Sequence, residues 1–221
     1  MRGSNVCLRI DAFDRSCPAA GQDRPKTSIL KQTLEPRILL LAVAYFCLVN
    51  TLNANGTWIP TIVRDVLKAH SLTSVGFVTA IPALSALILM PIWTRSSDKS
   101  QERKWHLIAA MAMAAIGWLM VIYLAQPELR LAGLIFTVSG AFSAMSLFWT
   151  LPQAILSEEA RPAGIGFISA VGLLGSAVSP AVIGILRDLT GSFNAGLFYV
   201  TALLVISMAL IWIVGRRNQA A

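Results

Sequence analysis

Asn50, Asn53 and Thr57 recur three and four residues apart inside a run that is otherwise apolar. Helical geometry sets residues at that spacing on one face. Tyr45 precedes them by one to two turns, and Asn55 adds a further amide. A later apolar run repeats the device: Ser139, Ser143 and Ser146 share a face, and Trp149 and Thr150 follow. Amides and hydroxyls in such surroundings hydrogen-bond the hydroxyl groups of a solute, and an indole stacks on its carbon skeleton and excludes water. This is the chemistry of non-covalent recognition. Two blander roles compete with it. Small serines also serve as close packing contacts between helices, and Trp149, near the end of its run, also suits an interfacial anchor.

Covalent chemistry has little to stand on. No GxSxG, HExxH or P-loop pattern occurs, so an enzyme is not expected. Cys7, Cys17 and Cys47 form no CxxC, which suggests neither a disulfide framework nor a metal site. No cofactor is implied.

The elements that must position these side chains follow from composition. Hydrophobic residues make up 56% of the 221 and charged ones only 13%, about half the usual charged share of a soluble domain. Mean hydropathy is +0.67. A bilayer core about 30 Å thick needs a helix of about 20 residues. Six uncharged apolar runs of that length occur, over Ile38 to Trp58, Leu72 to Trp93, Trp105 to Ala125, Leu131 to Leu151, Gly164 to Leu186 and Phe193 to Gly215. Between Ile38 and Gly215 every Lys, Arg, Asp and Glu falls in a connection. A cost of about 2.5–3.5 kcal/mol per charge at the bilayer centre enforces that. Soluble helices keep a polar stripe that these runs mostly lack, and barrel strands would alternate apolar with polar residues.

Orientation follows from the basic residues. Seven lie in the head, four in the island Trp93 to His106 (WTRSSDKSQERKWH), one at Arg161 and two at Arg216 and Arg217, fourteen together. Arg64, Lys68, Arg130 and Arg187, four in all, fall on the other side. The positive-inside tendency makes both termini and the island cytoplasmic. The net charge of +7 is then a matter of topology, with no nucleic-acid partner implied. His70 and His106 fall on opposite sides in this arrangement, too far apart to share a metal. Residues 1–35 are polar, lack a signal-peptide core and read as a disordered or frayed cytoplasmic head. Residues 36–215 form the membrane domain and 216–221 a cytoplasmic tail.

A weak internal repeat is present. The second span opens VGFVTAI at Val75 and the fifth opens IGFISAV at Ile165, an offset of 90 with three identities in seven. The second span runs inward and the fifth outward, which suits two inverted three-helix units.

From about Leu34 to Gly215 the chain resembles the C-terminal six-helix half of a major facilitator superfamily permease. Within that family it is most similar to the anion:cation symporter group of tartrate, phthalate and hexuronate or galactonate permeases. The matching stretches are GTWIPTIVRDV from Gly56, the island, FWTLPQAILS from Phe148, and GLLGSAVSPAVIGILRDLTGSFNAG from Gly172. The resemblance implies an all-α integral membrane fold of six helices in two inverted repeats. It also implies transport of a small organic anion, a sugar acid, tartrate-like acid or aromatic carboxylate, together with protons. The bilayer would be that of a bacterial inner membrane.

The family has twelve spans with its site between two halves. Its proton-coupling carboxylate and anion-binding arginine usually belong to the other half, and none of the six runs here holds a charge. The chain is therefore expected to be a fragment that needs a missing N-terminal six-helix half. A self-pairing half-sized transporter and a non-transporting accessory subunit are the alternatives. The substrate cavity is expected at Tyr45, Asn50, Asn53, Ser146, Trp149, Thr150 and Ser169. Ser169 and Leu173 stand where related permeases commonly show Asn. Asp98, Lys99, Arg103 and Lys104 match the family's signature gating loop, in which a carboxylate meets the positive pole of a neighbouring helix. Thr94 and Gln101 replace that loop's usual glycines, which argues against a tight turn.

Overall fold

The computed structural model describes residues 35–66 and 71–217, so nearly all of the expected head, the Lys68 and His70 connection and the last four residues lie outside the described residues. Its helices are α1 (Pro36–Val66), α2 (Leu72–Ser100), α3 (Arg103–Tyr123), α4 (Pro127–Phe148), α5 (Thr150–Ile155), α6 (Arg161–Thr190) and α7 (Asn194–Arg217). Counting α4 and α5 as one, six are long and apolar enough to cross a membrane. No strand occurs among the described residues.

The spans overrun their expected ends, because hydropathy marks the hydrocarbon slab while a helix continues wherever its backbone bonds can. α1 passes through Pro60 to Val66, eight residues beyond Trp58. The charged island is likewise corrected from a connection to helix. Arg95, Asp98 and Lys99 lie on the last two turns of α2, Arg103 and Lys104 open α3, and only Gln101 and Glu102 intervene. The turn is tight despite the missing glycine. Gln101 takes the left-handed conformation itself (φ 57°), and its Nε2 donates to the Asp98 carbonyl at 2.7 Å. That local bond offsets part of the roughly 1–2 kcal/mol that a side chain costs there.

α1 lies at the centre of the bundle. Its most apolar stretch is 67% buried, against 17% for α2 and 28% for α6. α1 packs on α6 and α7, α4 on α2 and α3, and α3 on α7. Exchanging the first three spans with the last three maps this set onto itself: α1 on α6 becomes α4 on α2, and α4 on α3 becomes α1 on α7. The faint repeat in sequence is therefore an inverted repeat in packing.

The α3–α4 seam brings two backbones into direct contact at two levels. A Cβ added at Gly117 would sit 2.5 Å from the Gly133 carbonyl oxygen and the Thr137 nitrogen. One at Gly140 would sit 2.6 Å from the Ala110 carbonyl oxygen and the Ala114 nitrogen. Small residues let two backbones approach this closely, which is how membrane helices gain dispersion energy in the absence of a hydrophobic drive. The equivalent α1–α7 seam uses a hydrogen bond instead, from Ser207 Oγ to the Ala44 carbonyl at 2.9 Å.

Candidate functional site

The break between α4 and α5 falls at Trp149 and has a covalent cause. Pro152 has no N–H to give the Phe148 carbonyl, so one rung of the helix ladder is missing. Thr150 Oγ1 donates to the neighbouring Leu147 carbonyl at 2.7 Å, and Trp149 relaxes to ψ −14°. The break presents Phe148 and Trp149 to α1, where Tyr45 meets both rings, at centroid distances of 4.9 and 4.8 Å. Phe148 and Trp149 are themselves edge to face at 5.6 Å. Contacts of this kind contribute about 0.5–1.5 kcal/mol each beyond area burial.

α6 closes the third side. Gly172 abuts the Tyr45 ring so closely that any side chain there would clash with it. Ser169 lies one turn before Gly172 and is part-buried. Asn53 donates from Nδ2 to Ser176 Oγ at 2.8 Å, joining α1 to α6 one turn beyond Gly172. Tyr45, Asn53 and Trp149 thus border one region between α1, α4 and α6, with Ser169 on the adjoining turn of α6. Phe148, Gly172 and Ser176 help to build it and were not among the residues expected there. Phe148 stood in a matched motif, and Gly172 and Ser176 form a small-xxx-small pair that was legible as a close helix contact.

The other expected residues are engaged elsewhere. Asn50 is fully buried. Its Nδ2 donates to the Gly175 carbonyl at 3.3 Å and to Tyr199 Oη at 3.2 Å, and its backbone carbonyl accepts from Ser179 Oγ at 2.8 Å. These bonds tie α1 to α6 and α7. Ser146 turns toward α2, sharing a hydrogen bond with Thr94 at 3.3 Å, as Ser139 does with Ser85 at 3.3 Å. Thr150 faces the opposite way, into a cavity of about 410 Å³ that Arg103, Lys104, Leu151 and Gly215 also line.

Arg103 and Lys104, which line that cavity, belong to the loop expected to gate. Asp98 Oδ1 lies 3.7 Å from Arg103 Nη2, with both side chains about half exposed. An exposed pair of this kind contributes about 0–1 kcal/mol. Lys104 lies over the Trp105 ring at 5.1 Å and runs along Gly215 of α7. Lys99 is exposed on the same end of α2. No group of three His, Cys, Asp or Glu able to hold a metal occurs among the described residues.

Comparison with known proteins settles the family. The sequence model of the Major Facilitator Superfamily matches residues 18–221. The chain belongs to the major facilitator superfamily. It is 34% identical over 202 residues to an Agrobacterium vitis protein whose name assigns it tartrate transport, covering 91% of this chain and 44% of that relative. It is 33% identical over 180 residues to the quinolone resistance transporter of Acinetobacter baumannii, covering 81% and 41%. It is 31% identical over 199 residues to the inner membrane transport protein RhmT of Escherichia coli K12, covering 88% and 45%. The chain thus spans less than half the length of these relatives. As a superfamily member with six helices long and apolar enough to cross a membrane, it is an integral membrane protein. The six helices and their inverted pairing are those of one half of the superfamily fold.

Proposed function

We propose that this chain is one half of a proton-coupled permease for a small organic anion, a sugar acid, tartrate-like acid or aromatic carboxylate, and that it works against a second six-helix unit. The observation that carries the reading is the Tyr45, Phe148 and Trp149 cluster beside the Asn53–Ser176 bond. It is a neutral wall of rings and hydrogen-bonding groups at a helix break. Such a wall orients a hydroxylated carbon skeleton. It does not neutralise a carboxylate or relay a proton, so both duties fall to the second unit. In this reading Tyr45, Asn53, Trp149 and Ser169 meet the solute, and Asn50, Ser146 and Thr150 hold the helices that carry them. α2 and α6 supply the apolar face for the second unit. Phe77, Leu84, Leu87 and Ile88 stand exposed on the first, and Leu173, Leu174, Ile185 and Leu189 on the second. The Asp98–Arg103 pair is a latch between states, being weak enough to break as the halves rock.

The chain alone in proteoliposomes should accumulate no labelled tartrate or galactonate under an imposed proton gradient. Co-reconstitution with a cognate N-terminal six-helix unit should restore gradient-driven uptake. Accumulation by the chain alone would replace the two-unit reading with a self-pairing transporter.

The proposed membrane is a bacterial inner membrane with both termini cytoplasmic, as the fourteen-to-four split of Lys and Arg supports. With Cys7, Cys17 and Cys47 changed to Ser, a cysteine at exposed Glu102 should react with impermeant maleimide only from the cytoplasm. One at exposed Gln126 should react only from the other side. Labelling of both from one side would refute the orientation.

A further inference from the structure

Lys104 does not join Asp98, although both belong to the charged island. Its stem runs along Gly215 of α7, its ammonium lies 5.1 Å from the centre of the Trp105 ring, and it forms no ion pair among the described residues. α7 repeats the device, with Arg216 over the Trp212 ring at 4.4 Å. Two neighbouring helices thus each set a cation on a tryptophan at the same end of the bundle.

Between α3, α5 and α7 lies the cavity of about 410 Å³ that Lys104 lines, a volume within the roughly 300–1,000 Å³ of ligand pockets. Its lining divides by chemistry. Arg103 and Lys104 set two positive charges against the single carboxylate of Glu102, while Leu151, Ala154, Ile211 and Val214 supply apolar surface. Glu102 makes no side-chain cap on α3, so the first N–H groups of that helix add their positive pole to the excess. The cavity therefore suits a molecule that joins an anionic group to an apolar body.

Its position selects among such molecules. No residue of α2 or α6, whose exposed faces suit the second unit, lines it. Trp105 and Trp212 are 52% and 41% exposed, and tryptophans of this kind collect at the level of lipid headgroups. A phospholipid presents its phosphate and the start of its acyl chains together at that level, whereas a soluble phosphate brings nothing for the apolar lining. Basic pockets between membrane helices recognise anionic headgroups by the same chemistry. We propose that this cavity binds the headgroup of an anionic phospholipid. Lys104 and Arg103 meet the phosphate, Trp105 holds the ammonium in place, and the first acyl carbons cover the apolar lining of α5 and α7. The site depends neither on transport nor on which side of the membrane the cavity faces.

Native mass spectrometry of the full chain, released from detergent micelles titrated with lipid, tests this. The first palmitoyl-oleoyl phosphatidylglycerol should bind at least about tenfold more tightly than phosphatidylcholine with the same chains. Glycerol phosphate, the headgroup without its tails, should not displace it even in large excess. Lys104→Gln should weaken phosphatidylglycerol by at least about fivefold, one interfacial cation being lost. Gly215→Leu keeps every charge but drives a side chain into the Lys104 stem, and should weaken it by at least about threefold. Arg64→Gln removes an exposed cation at the other end of the bundle and should change affinity by less than about twofold. Equal affinity for the two lipids, or displacement by glycerol phosphate, would overturn the proposal. So would equal weakening in Arg64→Gln and Lys104→Gln, because surface charge alone would then account for binding. If Gly215→Leu does not fold, Ala154→Phe decides, since it fills the same cavity from an exposed position. Full phosphatidylglycerol affinity in the cavity-filling variant removes the site. None of these readings involves transport, so failure here leaves the permease reading untouched.

Discussion

Trp149→Ala, in the chain reconstituted with its second unit, is expected to lower organic-anion uptake by at least about tenfold while membrane levels stay within about twofold of the unaltered protein. The indole meets Tyr45 at 4.8 Å and Phe148 at 5.6 Å. Its removal takes away two ring contacts of about 0.5–1.5 kcal/mol each and the surface on which a solute stacks. A loss of 1.4 kcal/mol is already tenfold in affinity. Fold should survive, because Trp149 is part-exposed and the helix break it occupies is set by Pro152. Asn53→Ala should reduce uptake less, since it removes one hydrogen bond and leaves the three rings in place. Radiolabelled uptake with quantified membrane expression checks both. If both variants transport normally, the face between α1, α4 and α6 is a packing interface and the solute binds elsewhere.

Gly117→Leu and Gly140→Leu should each abolish the folded chain. The added Cβ would meet main-chain atoms at 2.5 and 2.6 Å. Backbone inside two packed helices cannot step aside as a flexible side chain can. Overpacking typically costs about 1–3 kcal/mol where side chains yield, and more where they do not, against a total stability of about 5–15 kcal/mol. Gly117→Ala should be destabilising but recoverable. Gly166→Ala should go the other way, gaining about 0.5–1 kcal/mol, because its Cβ meets nothing within 4 Å and alanine is the better helix former. Fluorescence-detected gel filtration and thermal melting in detergent report the order. Wild-type behaviour of both leucine variants would mean that α3 and α4 are not in backbone contact.

The six spans were legible because the cost of placing charge in hydrocarbon leaves a direct mark on sequence. Their ends were not. Arg95, Asp98 and Lys99 are charged and still helical, since beyond the hydrocarbon slab nothing obliges a helix to stop. The Gln101 turn was misjudged for a related reason. Glycine is the easiest residue to place in a left-handed conformation, but a local hydrogen bond can hold another residue there. In the candidate site, the spacing of Asn50 and Asn53 picked out one helix face but could not say which neighbour each would meet. Three residues rotate a side chain by about 60° short of a full turn. That is enough for Asn50 to reach Gly175 and Tyr199 while Asn53 reaches Ser176. Which polar group faces a neighbouring helix depends on the neighbour, and a single helix's periodicity contains no record of it.

The missing rung at Phe148 also bears on stiffness. A regular helix resists bending about equally along its length, because each turn is braced by the next. In the α4–α5 span that bracing lapses at one point, so elasticity is concentrated at Trp149 and little is left to the turns on either side. A push on α5, whose Leu151 and Ala154 face Arg103 and Lys104 at one end of the bundle, therefore rotates the indole instead of being absorbed along the span. The joint converts displacement at that end into torque on the ring that faces Tyr45.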